Sequence, residues 1–386
     1  MIRCLAVIMM ALSLSNCVSR NDGTGLFTVN LTKTLPGVSL NLNAIADSIT
    51  LIRLETAEQC LIRDFSGYVG KNHIISVEPS KILLFSSDGK YLSQIARRGR
   101  GPGEFGQIDA WDVDEDEKSF VYHDTGKEYF ARYDLEALCH VDRISFTDRG
   151  ALDAIVMIND SLIAVLPGMF TQYGYLFFFQ TLDGRISTGI EKEPVPHPGT
   201  WAGRAAVFMS TGNGVLVFQP PENDTLFLLS RDGMVPLLRF FSPGPVRSGY
   251  EVTGSGGRLK YINERYILID HIFSRKNVSP GNAAISIDKI ENLLFCRDDA
   301  SLDRIDSFSV SLHGIDINLK YLDFGKGGRF FSALEPAELI KIVKDQLQVK
   351  AVTDDDREFW KDFAGSIGES DNPILVSGIL WTIQVE

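Results

Sequence analysis

The side chains that could do chemistry are scattered along the chain. The six histidines, His73, His123, His140, His197, His271 and His313, never fall at ligand spacing from one another or from a cysteine, so no zinc motif is present. His123 follows the apolar run Phe120-Val121-Tyr122 and precedes Asp124, which makes it a candidate ligand-facing polar group at the end of a strand. Gly99, Gly101 and Gly103 stand among Arg97, Arg98 and Arg100, close to the composition of a phosphate loop. Pro102 removes one backbone donor and no helical pattern follows, so a connection between strands competes with an anion site at Arg98 and Arg100. Trp201 and Arg204, at the end of a Gly/Pro-rich stretch, could form a stacking platform for a sugar or other ring, with simple packing of Trp201 as the competing reading. Asp112, Asp114, Glu115, Asp116 and Glu117 form an acidic run without the Gly and closing Glu of a calcium loop, and read as a solvated hairpin tip. There is no HExxH, no GxSxG with triad partners, no P-loop and no dinucleotide fingerprint. No catalytic residue and no metal is assigned, and no cofactor is predicted; calcium has no motif to support it.

Acidic residues outnumber basic ones, 50 to 38, for a formal charge of −12. That balance argues against a nucleic-acid partner, which selects a basic stripe. Arg3 and the ten-residue apolar stretch Leu5 to Leu14 read as a signal peptide, too short for a spanning helix. Leu14-Ser15-Asn16-Cys17 resembles a bacterial lipobox, with Asn16 larger than the usual small residue. The resemblance implies lipidation of Cys17, an acyl anchor, and a signal over residues 1–16. A polar tether over 17–39 follows. Val18, rather than Asp, after the cysteine implies by resemblance to Gram-negative sorting an exported lipoprotein of the outer membrane. Cys60, Cys139 and Cys296 are widely spaced and odd in number; they read as buried small apolar residues, with a pairing between two of them left open.

The elements come from an internal repeat. Ile82 to Phe85, Tyr129 to Tyr133, Leu176 to Gln180 and Thr225 to Leu229 are apolar runs, each followed by a turn with Asp88, Asp134, Asp183 or Asp232 and then a second apolar run. A weaker member places Asp288 after Ala284 to Ile287; the spacings are 46, 49, 49 and 56 residues. Asp-Gly between apolar runs is a hairpin signal, and a unit of this length holds four short strands, the size of one propeller blade. The pattern predicts an all-β fold: a six-bladed β-propeller of four-stranded antiparallel blades over residues 40–386. Two short helices, about 335–346 and 354–366, precede a closing strand at 374–383. The first begins at Pro336; in the second, Phe359, Phe363 and Ile367 form an apolar stripe read as packing. Pairing Ile49–Leu54 with Ile374–Ile383 in one blade would close the ring.

Gly99-Arg100-Gly101-Pro102-Gly103-Glu104-Phe105, with Ile108 and Val113-Asp114 after it, resembles the opening of an NHL-type repeat. The opening Leu54-Glu55-Thr56, the turn Phe85 to Lys90 and the acidic Asp371-Asn372-Pro373 near the end are similar to the six-bladed β-propeller lipoproteins of Bacteroidetes, a family largely without assigned function. The likeness runs from about Leu40 to the end and is thinnest between about Asp148 and Leu226. It implies a non-enzymatic, membrane-anchored binding scaffold whose partners are outer-membrane lipid through Cys17 and a glycan, a peptide or an envelope protein. Two other readings stay open: a propeller hydrolase or lyase acting on a saccharide or lactone, and a structural subunit of an envelope complex.

Overall fold

The computed structural model describes residues 18–20, 26–101, 103–146, 150–168, 174–191, 207–210, 216–219, 224–230, 233–242, 246–248, 251–279 and 282–381. In chain order β1 (Val18–Arg20), β2 (Phe27–Asn30), β3 (Gly37–Asn41) and β4 (Ala46–Arg53) come first. Blade one is β5 (Gly67–Val69), β6 (His73–Val77), β7 (Lys81–Ser86) and β8 (Tyr91–Arg97). Blade two is β9 (Ile108–Val113), β10 (Ser119–Asp124), β11 (Tyr129–Asp134) and β12 (Cys139–Ser145). Blade three is β13 (Leu152–Asn159), β14 (Leu162–Pro167), β15 (Tyr175–Thr181) and β16 (Ile186–Glu191). Blade four is β17 (Val207–Ser210), β18 (Leu216–Gln219), β19 (Thr225–Ser230) and β20 (Gly233–Phe241). β21 (Val246–Ser248) precedes blade five, which is β22 (Glu251–Ile262), β23 (Tyr266–Ser279), β24 (Asn282–Cys296) and β25 (Ser301–Leu312), with β26 (Ile315–Leu319) added at its edge. Then come β27 (Asp323–Phe324), β28 (Arg329–Leu334), helices α1 (Pro336–Val349) and α2 (Asp354–Ser366), and β29 (Ile374–Leu380). The fold is a six-bladed β-propeller of four-stranded antiparallel blades with two helices near the C-terminus.

Middle strands of a blade are covered on both faces by neighbouring blades, so they read as continuous apolar runs. Ile82, Leu83, Leu84 and Phe85 of β7 are all fully buried. In β12, an outer strand, Ile144 is the one buried residue. Blades one and two share a core of Ile75, Leu84, Phe105, Phe120 and Tyr122. Ala110, Val121 and Phe130 of blade two meet Ile155, Val165 and Phe178 of blade three. The hairpin turns repeat in detail. Gly89 and Gly184 both adopt φ +88°, and their N–H groups donate to Ser86 O and Thr181 O at 2.9 Å. A side chain is strained at that φ, which is why the Asp-Gly pattern marks these turns.

Blade six is assembled from both ends of the sequence. Its strand order is β27-β28-β29-β4, and β29 pairs antiparallel with β4 from Ile374↔Arg53 to Leu380↔Ala46. The expected pairing of the opening strand with the final one is therefore present, and it leaves neither as a free edge on that side. The two motifs at opposite ends of the chain form one hydrogen-bonded unit. Asn372, 1% exposed, donates through Nδ2 to Glu55 O (2.7 Å) and Cys60 O (2.8 Å), and accepts from Ile62 N (2.7 Å). Its own N–H donates to Thr56 Oγ1 at 2.9 Å.

Asp288 is not in a hairpin turn: β24 runs through it, and the ladder with β23 skips it as a bulge between Phe273↔Lys289 and Ser274↔Ile287. The turn between β24 and β25 lies at Arg297 to Ala300, where Asp299 Oδ1 accepts from Ser301 N at 3.0 Å. Blade five has strands of 12 to 15 residues where blade two has 6 or 7, so an even spacing could not hold through it. The stretch 17–39 is not only a tether, since β1 and β2 join the sheet of blade four and β3 pairs with β25. Helix α2 buries Trp360 completely, while Phe359 and Phe363 are half-buried beside it. Cys60 is buried, Cys139 is exposed and Cys296 is intermediate, and all three are free thiols. Cys139 sits on an outer strand, where no neighbouring blade covers it.

Candidate functional site

Charged groups converge on β9, the first strand of blade two. Lys326 lies in the loop between β27 and β28 of blade six, yet its Nζ donates to Asp112 Oδ2 of β9 at 2.9 Å and also to Val113 O. Blades six and two flank blade one, so a direct contact between them requires inner strands where the blades converge. Both side chains of the pair are only 14% exposed. Asp112 Oδ2 also accepts from Met157 N of blade three at 2.8 Å. Burial pushes the Asp112 carboxyl above the usual range, and Lys326 pulls it back down. Asp114, 6% exposed, is pushed up by burial too, and its Oδ1 accepts from Lys118 N at 2.6 Å.

Glu117 completes this end. It sits in the β9–β10 turn at φ +56° and is 6% exposed. Its carboxylate receives the N–H groups of Lys71 (2.5 Å), Asn72 (2.7 Å) and His73 (3.0 Å), which form the β5–β6 turn of blade one. Three amides on one carboxylate make an anion nest filled by the protein itself. The Tyr68 hydroxyl donates to Glu117 Oε1 at 3.3 Å. Burial, with Glu117 beside it, drives the Tyr68 phenol far above its ordinary value, so it stays a donor. The acidic run is thus only half solvated: Glu115 and Asp116 are exposed, Asp114 is buried within its own turn, and Asp112 and Glu117 tie four blades together. A helical or metal motif would have announced itself by spacing. Glu117 and Lys326 had no such signal beyond an acid in a tight turn and a lysine in Gly325-Lys326-Gly327-Gly328.

At the other end of β9 a second carboxylate does similar work. Asp109 Oδ2 accepts from Leu152 N of blade three at 2.7 Å, and its Oδ1 is 2.7 Å from His123 Nδ1. His123 is 1% exposed and packs against Phe130 and Phe146, with centroids 5.2 and 4.9 Å away. The sequence placed it at a ligand-facing mouth; the structure places it inside, on β10, orienting a carboxylate that pins the next blade. The neighbouring Asp124 accepts from Gly106 N, Gln107 N and Gly126 N, which shapes the loop before β9.

That loop is the glycine-rich stretch. Glu104 folds back into it, accepting from Gly101 N at 2.6 Å and from Arg97 Nε at 2.8 Å. A Cβ on Gly99 would come within 2.1 Å of Glu104 Oε2, so any larger residue there would displace the Glu104 carboxylate. The Gly101 amide, with Arg97, holds the Glu104 carboxyl below the usual carboxylate range. A carboxylate of the chain itself occupies the position a phosphate would take. Arg98 and Arg100 remain exposed beside it. Cys17, Trp201 and Arg204 lie outside the described residues. Among the described residues no group of three or more His, Cys, Asp or Glu is placed to hold a metal ion, and no helix is long and apolar enough to cross a membrane.

Four-stranded antiparallel blades, with Lys326, Asp112, Glu117 and Asp109 joining one blade to another, define a protein of the six-bladed β-propeller class. The chain belongs to the family described as domain of unknown function DUF4934, whose profile matches residues 26–378. Its fold is similar to that of a protein of Bacteroides fragilis NCTC 9343 that is named an exported protein, at 14% identity and TM-score 0.62, over 92% of this chain and 99% of that one. A member of the DUF4221 family from Bacteroides vulgatus ATCC 8482 aligns at 11% identity and TM-score 0.41, over 88% of this chain and 97% of the other. No functionally curated protein matches the chain.

Proposed function

We propose that this protein is an exported lipoprotein, anchored in the outer membrane through Cys17, whose NHL-like propeller is a rigid scaffold for binding a glycan, a peptide or an envelope protein. One observation carries the scaffold reading. The buried polar groups Lys326, Asp112, Glu117 and Asp109 bond neighbouring blades to one another, and His123 orients Asp109 within blade two. Groups spent in this way supply rigidity, which lowers the entropic cost of binding, and leave the exposed loops to meet the partner. Arg98 and Arg100 are the exposed candidates, next to a loop already stiffened by Glu104. The anchor reading rests on the Leu5 to Leu14 stretch and the Leu14-Ser15-Asn16-Cys17 pattern, and is consistent with the name of the Bacteroides fragilis protein.

The test has two arms. Cys17→Ala should move the protein from the membrane fraction to the soluble one; continued membrane anchoring would sink the lipoprotein reading. Purified wild type should retain a defined glycan or envelope protein on arrays and in membrane pull-downs, and Arg98→Glu/Arg100→Glu should lose it at unchanged melting temperature. Retention unaffected by the double substitution would remove this loop from the binding surface.

A further inference from the structure

Resting on the lipoprotein reading above, we infer that the end of the blade-four sheet that carries the anchor lies on the bilayer, with Phe241 in the lipid interface. The anchor has little slack. β1 begins at Val18, one peptide unit after Cys17, and adjacent Cα atoms are about 3.8 Å apart. β1 is not free: Val18 pairs with Val29 of β2, and Val29 pairs in turn with Phe240 of β20. The acylated residue therefore follows directly from a row of the sheet that ends in Phe240.

The next row of that sheet pairs Asn30 with Phe241, and Leu31 N donates to Phe241 O at 2.8 Å. Side chains alternate along β20, so Leu238 and Phe240 enter the core of blades four and five while Arg239 and Phe241 face outward. Phe241 is 55% exposed. A large aromatic exposed at a strand end is costly in water and suited to the headgroup boundary. Arg239, two residues away on the same face, is exposed and adds a cation toward anionic lipid. The occupant is thus a phospholipid surface, selected by the anchor beside the patch and by its aromatic and basic character.

The experiment uses the full chain produced in a host that acylates lipoproteins, reconstituted in phosphatidylethanolamine/phosphatidylglycerol vesicles containing radiolabelled phospholipid. A benzophenone amino acid replaces Phe241 or, as a comparison, Val141, which is 48% exposed on β12 of blade two. On irradiation, labelling by lipid from position 241 should exceed that from 141 several-fold, and fall to the 141 level in Cys17→Ala. Equal labelling at both positions in a protein that incorporates radiolabelled palmitate would overturn the inference while leaving the anchor standing. Absence of palmitate incorporation would overturn both.

Discussion

At the scale of single residues, the charges that matter are the ones least like a motif. Lys326 and Asp112 are each mostly buried and bonded to one another across blades. Removing one partner of a buried pair strands the other, and the cost is about 3 kcal/mol or more. Lys326→Met should therefore lower stability by about that amount in chemical denaturation, and adding Asp112→Asn should restore part of it. A Lys326→Met protein as stable as wild type would show that the pair does not hold the blades. His123 and the loop of Gly99, Gly101 and Gly103 with Arg98 and Arg100 teach the same lesson from the sequence side. Both carry residue types that permit binding chemistry. What was not visible was that Asp109, 14 positions away, would take the imidazole, and that the loop would fold its own Glu104 inward. Partner choice depends on strand register, and register is set by which faces are buried.

At the scale of elements, the hairpins and both helices were legible because each depends on local chemistry. Asp-Gly turns demand a positive φ at glycine, Pro336 opens α1, and Thr353 Oγ1 caps α2 by accepting from Asp356 N at 3.1 Å. How α1 docks was not legible. It is held to β26 by Gln346, which exchanges two hydrogen bonds with the Asp316 backbone, and by Lys350 Nζ, 2.6 Å from Asp316 Oδ2. Lys350, then Ser311, hold the Asp316 carboxyl below its ordinary value of 3.8. The folded protein then binds fewer protons at this group than the unfolded chain does, so its contribution is complete above 3.8 and is lost as pH falls through the lower folded value. Lys350→Met should melt earlier than wild type at neutral pH, and the gap should close well below pH 3.8. A gap that stays constant with pH would assign the effect to packing of the lysine stem.

At the scale of the whole molecule, the pairing of the chain's two ends in blade six is the feature with the widest consequence. β29 pairs on both sides, with β28 and with β4, and Asn372 ties the chain's last segment to residues 55–62 of its first. Deleting Ile374 to Glu386 removes that strand and opens two edges, so it should abolish the cooperative thermal transition; a melt unchanged by the deletion would refute closure as the source of stability. Blade size, alternation and turn spacing determined the propeller from sequence, because each blade repeats a local pattern that backbone sterics and apolar burial enforce. The count survived even where one turn was misplaced at Asp288, since a longer blade still supplies four strands. The tertiary structure alone decided which carboxylates are buried, which thiol is exposed, and that the N-terminal segment is sewn onto blade four. Those outcomes depend on contacts between residues tens to hundreds of positions apart, and no local propensity encodes which of many equivalent amides a given Asp or Glu will meet.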